Sequence, residues 1–195
     1  MLGRDGPIRT FIALHISEEA RRDLTEIIES LGTTAPRGVR WVGPQSIHLT
    51  LKFLGEIDPG RTDQILGSLR QAVEGSLSFS LALSGLGVFP NNHRPRVLWA
   101  GIAGDLDSLT RLQERVEEAM LEQGFARESR PFNAHLTIGR VRDGISAVER
   151  RLVGDAVAAA SLKPTEPWPV ESVHLVQSTL NPQGAVYTSL GSAAL

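Results

Sequence analysis

The sequence predicts an α+β protein: two similar lobes of largely antiparallel sheet with outer helices, facing each other across a central cleft. Strand-like and helix-like segments alternate along its 195 residues. The connections at 90–95 and 181–184 are rich in Pro, Asn and Gly, which is typical of the hairpins that join antiparallel strands. One phrase occurs twice, as His48-Leu49-Thr50-Leu51 and His135-Leu136-Thr137-Ile138. Because each half carries one copy, we expect residues 1–195 to form a single bilobed domain.

Each element is predicted from local signals. Helices are indicated by apolar residues at helical spacing and by capping residues at the ends. They are expected from Ser17 to Leu31 with Gly32 beyond the end, from Asp58 and Pro59 onward, from Asp105 to Gly124, and from Ala147 to Ser161. Strands are indicated by short apolar or alternating runs. They are expected at Thr10–Ile16, Val39–Val42, Ile47–Ile57, Leu77–Phe89, Arg96–Ile102, Asn133–Val141, Ser172–Leu180 and Val186–Leu190.

Composition excludes several classes of function. The chain has 20 basic and 22 acidic residues, a net charge of −2. This balance disfavours sequence-independent binding to long nucleic acid but leaves a short RNA end or a nucleotide as a ligand. The absence of cysteine excludes disulfides, thiolate metal sites and a cysteine nucleophile. With no apolar run of signal-peptide or membrane-spanning length, we expect a cytoplasmic protein with no membrane partner. No obligate protein partner is evident.

The repeated phrase places its histidine and threonine side chains on one face of each strand. Side chains alternate between the two faces of a strand, so His48 and Thr50 share one face while Ile47, Leu49 and Leu51 are buried behind them. The second copy follows the same pattern, with His135 and Thr137 in front and the following apolar residues behind: Ala134, Leu136 and Ile138.

Two imidazoles offered from matching strands form a potential acid and base pair. Imidazole titrates near neutral pH when unperturbed, so one neutral and one protonated histidine can coexist. Hydrolysis of a phosphodiester by in-line attack needs one base for water and one acid for the leaving oxygen, and each transfer contributes roughly 10²- to 10⁴-fold. Threonine hydroxyls donate hydrogen bonds to the non-bridging oxygens. This scheme needs no metal and no cofactor.

Other interpretations of the histidines remain open. A single histidine on a strand is more often structural than catalytic, although the duplication makes chance unlikely here. A zinc site is the other functional alternative, but no third ligand accompanies the pair. We expect His15 and His174 to be structural and His93 to be solvated in its turn. Arginines flank the second phrase and are able to clamp a phosphate; they are Arg130, Arg140 and Arg142.

Several segments together resemble the 2H phosphoesterase superfamily, specifically its RNA 2′,3′-cyclic phosphodiesterase branch, long labelled 2′-5′ RNA ligase. The resemblance covers nearly the whole chain, and the second signature has the form His-x-Thr-x-x-Arg. The matching segments are Arg9 to Leu14, Val39 to Val42, Ile47 to Gly55, Pro95 to Trp99, Phe132 to Arg140 and Leu175 to Tyr187.

The resemblance implies hydrolysis of a 2′,3′-cyclic phosphate, on RNA ends or small cyclic nucleotides, to a 2′-phosphomonoester. It implies that His48 is the proton donor and His135 the proton acceptor. It also implies phosphate binding by three further side chains: Thr50, Thr137 and Arg140. Arg140 has the opposite strand parity to His135, so it reaches the cleft only if the strand bulges, as at Gly139. Ala134 stands where the family commonly has proline.

Two alternatives to this hydrolase are a module that holds RNA ends with little turnover and a reversible 2′-5′ RNA ligase. Two histidines kept in intact signatures favour the enzyme. Release of a 2′-phosphate from a cyclic-ended nucleotide discriminates between hydrolysis and binding alone.

Overall fold

The computed structural model describes residues 6–34, 38–162, 165–181 and 184–195. Within these ranges the helices are α1 (Glu18–Thr34), α2 (Thr62–Val73), α3 (Leu106–Glu122) and α4 (Ala147–Ala159). The strands are β1 (Ile8–Leu14), β2 (Val39–Trp41), β3 (Leu49–Ile57), β4 (Phe79–Phe89), β5 (Val97–Gly104), β6 (His135–Val141), β7 (Trp168–Val170), β8 (Ser172–Asn181) and β9 (Gly184–Ala194). None of the described helices is both long and apolar enough to cross a lipid bilayer.

The strands form one sheet whose pairings are all antiparallel. Its order is β7-β4-β5-β6-β3-β1-β8-β9, with β2 also paired to β6. Four strands lie on either side of the junction between β6 and β3, so the prediction of an α+β fold with two similar antiparallel lobes is confirmed. The lobes do not coincide with the halves of the chain, because the closing hairpin of β8 and β9 pairs with β1.

The two lobes meet through the strands that carry the repeated phrases. β3 and β6 share one register pair, Leu49 with Leu136. The remainder of β6, from Gly139 to Val141, pairs with β2. A turn of 3-10 helix at Pro44–Ser46 then joins β2 to β3. The segment that leads into the first phrase therefore runs alongside the strand of the second phrase, which fixes the two phrases relative to each other.

Capping side chains satisfy free backbone amides at the starts of α1, α3 and α4. Gly124, with a φ of 85°, follows α3 as expected of a glycine just beyond a helix. The predicted caps at Ser17 and Asp58 are confirmed, although Asp58 caps a 3-10 turn (Pro59–Arg61) that leads into α2. Asp105, after which the third helix was predicted, caps α3. The helices pack on the sheet and on each other: α2 on α3 and β9, α3 on β3, α4 on β4, and α1 on α4.

Some predicted boundaries were wrong. α1 continues through Gly32 to Thr34 rather than ending at Leu31, and the Thr33 and Thr34 hydroxyls donate to carbonyls of its last turns. The three-residue strand β7 was not predicted, because three residues are too few to show a period. Phrase-bearing strands begin slightly later than predicted, at Leu49 and His135, and α4 ends two residues earlier, at Ala159. Residues 35–37 of the predicted loop and 182–183 of the predicted turn lie outside the described residues.

Two helical glycines differ in the space around them, which gives opposite expectations for the same substitution. A Cβ on Gly154 would lie 2.0 Å from the backbone oxygen of Asn92, whereas a Cβ on Gly67 would meet nothing within 4 Å. Alanine in a helix interior is favoured over glycine by ~1 kcal/mol. We expect Gly67→Ala to raise the free energy of unfolding by up to this amount and Gly154→Ala to lower it. Urea denaturation of both variants measures the difference. Stabilisation by Gly154→Ala would contradict the close packing of α4 on the turn between β4 and β5, which contains Asn92.

Candidate functional site

The two histidines of the repeated phrase are held in the same way. The Nδ1 of His48 lies 2.8 Å from the carbonyl oxygen of Ser46, and the Nδ1 of His135 lies 2.7 Å from the carbonyl oxygen of Asn133. A carbonyl only accepts hydrogen bonds, so Nδ1 carries a proton in both rings. The neutral form of each ring therefore has its free lone pair on Nε2, ready to accept a proton.

The register of β3 against β6 brings each histidine next to the threonine of the other phrase. In an antiparallel pair centred on Leu49 and Leu136, the register neighbour of His48 is Thr137. By the same count, the register neighbour of His135 is Thr50. The four polar side chains are thus related by an approximate twofold axis through the leucine pair.

The predicted faces of the two strands are confirmed. Five of the six apolar residues behind the histidines are buried, with exposed fractions of 4% or less: Ile47, Leu49, Leu51, Leu136 and Ile138. The sixth, Ala134, is half-buried. The histidine and threonine side chains consequently stand on the face that lines the cleft.

Both strands bulge at the same point of the phrase. In β6, Thr137 pairs with Trp99 and Gly139 with Leu98, so Ile138 is an extra residue. Residues two apart on an unbroken strand share a face. Arg140 lies opposite Val97, two positions from Trp99, and is therefore on the same face as Thr137. The bulge expected for Arg140 is present, one residue before Gly139.

Gly139 is not the bulged residue; its missing side chain allows β2 to lie close to β6. It pairs with Trp41, and a Cβ at this position would lie 2.9 Å from Val39 Cγ1 and 3.1 Å from Trp41 Cε3. A side chain here would push β2 away from β6.

The matching bulge in β3 places an aromatic residue where β6 has its arginine. Leu51 is the extra residue, because Thr50 pairs with Ala13 and Lys52 with Ile12. Phe53 then faces the cleft opposite Phe11, as the counterpart of Arg140, and 63% of its side chain is exposed. Phe53 is not among the predicted site residues. It follows Thr50 by three residues, as Arg140 follows Thr137, so alignment of the two phrases would have pointed to it if both bulges had been known.

The cleft between the lobes has a volume of about 1510 Å³. It brings together all five residues singled out from the sequence: His48, Thr50, His135, Thr137 and Arg140. Other lining residues were not predicted, notably Phe11, Arg40, Phe53 and Tyr187. Arg130 also lines the cleft, whereas Arg142 does not.

The environments of the two histidines differ. The His48 ring stacks on Phe11 with centroids 4.5 Å apart and meets the edge of Tyr187 at 4.9 Å. Burial lowers the pKa of His48 to about 4, against the raising effect of the Ser46 carbonyl; His15 lowers it further. The expectation that His48 titrates near neutral pH was therefore wrong for the free protein. His135 is the more exposed ring and contacts Phe89 edge-on at 5.1 Å.

The remaining histidines lie outside the cleft lining. His15 and His174 stack on each other with centroids 3.8 Å apart, and His174 Nε2 lies 2.9 Å from Ser172 Oγ. His93 is exposed in the turn between β4 and β5, as predicted. In the part of the chain that the structure describes, no group of three or more His, Cys, Asp or Glu side chains is arranged to hold a metal ion.

A buried ion pair supports the segment that precedes the second phrase. Lys52 Nζ lies 2.6 Å from Glu117 Oε1, and the exposed fractions of the two side chains are 3% and 6%. The lysine also donates to the Ala126 carbonyl, and Glu117 accepts from the backbone amide of Glu128. The first phrase strand, α3 and the segment leading to His135 are thereby joined in one network.

Breaking this ion pair should be costly because either partner alone is a buried, uncompensated charge. We expect Lys52→Met to lower the free energy of unfolding by ~3–5 kcal/mol. Adding Glu117→Gln should recover part of the loss, since the remaining amide is neutral and still accepts from Glu128. The exposed pair of Arg127 and Glu118 is the control, and Arg127→Met should cost less than ~1 kcal/mol. Urea denaturation of the three variants and the wild type tests this, and a Lys52→Met protein as stable as the wild type would refute it.

Comparison with known proteins agrees with this geometry. The family model described as LigT like phosphoesterase matches residues 14–99 and again residues 102–187, so each match contains one copy of the phrase. The chain is 36% identical to the RNA 2′,3′-cyclic phosphodiesterase of Thermotoga maritima over 183 residues, covering 94% of this chain and 93% of that protein. It is 33% identical to the protein of the same name from Archaeoglobus fulgidus, covering 94% and 98%.

A solved structure extends the similarity to the fold. The crystal structure of TT0787 of Thermus thermophilus superimposes with a TM-score of 0.77 at 30% identity, covering 96% of this chain and 98% of that one. The duplicated match and the relatives that span nearly the full length show that this chain belongs to the LigT-like phosphoesterase family of the 2H superfamily.

Proposed function

We propose that this protein hydrolyses 2′,3′-cyclic phosphates, on RNA ends or on small cyclic nucleotides, to 2′-phosphomonoesters. The observation that carries the proposal is the pair of histidines in one cleft, both with Nδ1 bound to a carbonyl and Nε2 left for proton transfer. The relatives named RNA 2′,3′-cyclic phosphodiesterase support the choice of substrate.

In the proposed reaction His135 is the base and His48 is the acid. The Nε2 of His135 removes a proton from water, and the hydroxide oxygen forms a new bond to phosphorus. The bond between phosphorus and the 3′ oxygen breaks on the opposite side, and the Nε2 proton of His48 passes to that oxygen. The product carries its phosphate on the 2′ oxygen. Two proton transfers suffice for this chemistry, with no metal and no cofactor.

Thr50 and Thr137 bind the phosphate in this scheme. The proposal is supported by the register of Leu49 with Leu136, which, extended by one residue on each side, sets each threonine across from the other phrase's histidine. Hydroxyl donors held in place before the reaction stabilise the charge that develops on the non-bridging oxygens.

The two walls of the cleft suit the two ends of a nucleotide. Phe53 offers an exposed ring on the lobe of β3, and a nucleobase stacks favourably on such a ring. Arg140, its counterpart on the lobe of β6, offers a cation for phosphate. This division supports a nucleotide over an apolar or purely anionic substrate.

The proposal extends to the domain organisation, the cellular location and the ligand of the protein. Residues 1–195 act as one bilobed domain, since residues of both lobes contribute to the same large buried cluster. The absence of cysteine fits the reducing cytoplasm. The ligand is an RNA end or a small cyclic nucleotide, with no obligate protein partner.

Because its pKa is lowered, His48 acts as the acid only if the bound substrate raises that pKa again. Free His48 is neutral at pH 7, because burial disfavours its charged form. A phosphate anion bound beside it favours the charged form and so raises its pKa. We expect the His48 ring to titrate near pH 4 in the free protein and at least one unit higher with adenosine 2′-monophosphate bound. Proton NMR titration measures both values; an unchanged or lower pKa in the complex would contradict the donor role.

The direct test is product analysis with adenosine 2′,3′-cyclic phosphate and a short RNA ending in the cyclic group. Phosphorus NMR should find the 2′-phosphate as the main product, and turnover should persist in EDTA. A 3′-phosphate product would reverse the two histidine roles. Loss of turnover in EDTA, restored by zinc, would favour the metal site. Tight binding without turnover would favour the RNA-end binding module, and joining of ends would favour the ligase.

Substitution of either histidine should abolish most of this activity. We expect His48→Ala and His135→Ala each to lower kcat by orders of magnitude, because each loses one proton transfer. The double variant should be scarcely slower than either single variant, since the pair acts as a unit. His93→Ala, at an exposed histidine outside the cleft lining, is the matched control and should retain wild-type turnover. Turnover near wild type in either cleft variant would exclude the mechanism.

A further inference from the structure

We propose that Arg40 and Arg140 form a second phosphate subsite, which binds the phosphate on the 5′ side of the nucleotide whose cyclic phosphate is hydrolysed. The inference rests on the proposed function and goes beyond it. It makes a nucleotide with a 5′ phosphate, and hence an RNA chain end, a better substrate than a 2′,3′-cyclic nucleoside phosphate alone.

The strand register places the two arginines side by side on the cleft wall. Arg40 of β2 pairs directly with Arg140 of β6. Directly opposite residues of an antiparallel pair point to the same face, with Cα atoms roughly 4.5–5.5 Å apart. The bulge at Ile138 turns that face toward the cleft, and both arginines line it.

The pair carries two positive charges that the protein leaves unneutralised. Like charges directly opposite on a sheet are destabilising. Among the described residues, neither Arg40 nor Arg140 forms an ion pair or donates a side-chain hydrogen bond. Two of the other arginines that line the cleft are paired, Arg127 with Glu118 and Arg130 with Glu128. Arg9 also lines the cleft, but it lies on β1 and has no arginine as its register partner. An anion between the two guanidinium groups would remove the repulsion, and their planar geometry matches phosphate oxygens.

The position of the pair relative to the phrase sets which phosphate it reaches. Thr137 and Arg140 lie opposite Trp99 and Val97, which are two residues apart on β5. This corresponds to a separation of ~7 Å along the strand. Guanidinium groups that extend away from Thr137 along the cleft wall would meet a second phosphate rather than the reacting one. In this proposal the subsite holds the phosphate next to the reacting one, which a cyclic nucleoside phosphate lacks.

Two substrates that differ only in this group test the inference. They are adenosine 2′,3′-cyclic phosphate and the same compound with a 5′ phosphate. For the wild type we expect kcat/KM to be about tenfold or more higher for the 5′-phosphorylated compound, the size expected for a charge-assisted contact. Arg40→Gln should bring the ratio of the two kcat/KM values toward one. Arg70→Gln, at an exposed arginine of α2 outside the cleft lining, should keep the wild-type ratio.

A second measurement needs no variant. For the wild type, raising the salt concentration should lower kcat/KM more steeply for the 5′-phosphorylated compound, because its extra contact is ionic. Equal kcat/KM for the two compounds, or a ratio that Arg40→Gln does not change, would overturn the subsite while leaving the proposed function standing. No hydrolysis of either compound, nor of a short RNA that ends in the cyclic group, would overturn the proposed function, and the subsite with it.

Discussion

The pairing of Leu49 with Leu136 is the constraint on which the site depends. It is the single register pair between β3 and β6, and it places two copies of one phrase antiparallel to each other. Both leucines are buried, with exposed fractions of 1% and 0%. A slip by one residue would turn every side chain of one phrase to the other face, exposing its leucine and burying its histidine. The hydrophobic effect thus fixes the register, and the register fixes the positions of the polar groups.

The two strands bulge at the same point of the phrase, but the residues beyond the bulges differ in chemistry. The extra residues Leu51 and Ile138 occupy the same place in the two phrases, so in both lobes the third residue after the threonine faces the cleft. The residues delivered to the cleft beyond the bulges differ, because one strand supplies Phe53 and the other Arg140. A nucleotide is itself asymmetric, with an apolar base at one end and charged phosphate at the other. The duplicated scaffold supplies the geometry of the cleft, and under the proposed function the differences between its copies supply selectivity.

The sequence predicted most features that follow from local periodicity. Alternation identified the buried and exposed faces of both phrase strands. A capping residue identified the helix start at Ser17, and helical spacing identified the start after Asp105. Features that depend on a distant partner were not predicted. The burial of Lys52 depends on Glu117, 65 residues away, and the pairing of β8 with β1 joins opposite ends of the chain. The lowered pKa of His48 likewise results from packing against Phe11 and Tyr187, which no local pattern reveals.

The different burial of the two histidines gives the proposed reaction an order. A buried, neutral His48 is not yet an acid, and it becomes one when an anionic phosphate makes its charged form favourable. The proposed base, His135, is the more exposed ring of the two. In the proposed reaction, the bound substrate therefore makes His48 an acid. Without substrate, the surrounding aromatic rings disfavour the protonated form of His48. The same packing that lowers the basicity of His48 also makes its protonated form a stronger acid, so the proton is more readily released to the leaving oxygen once the bond to phosphorus begins to break.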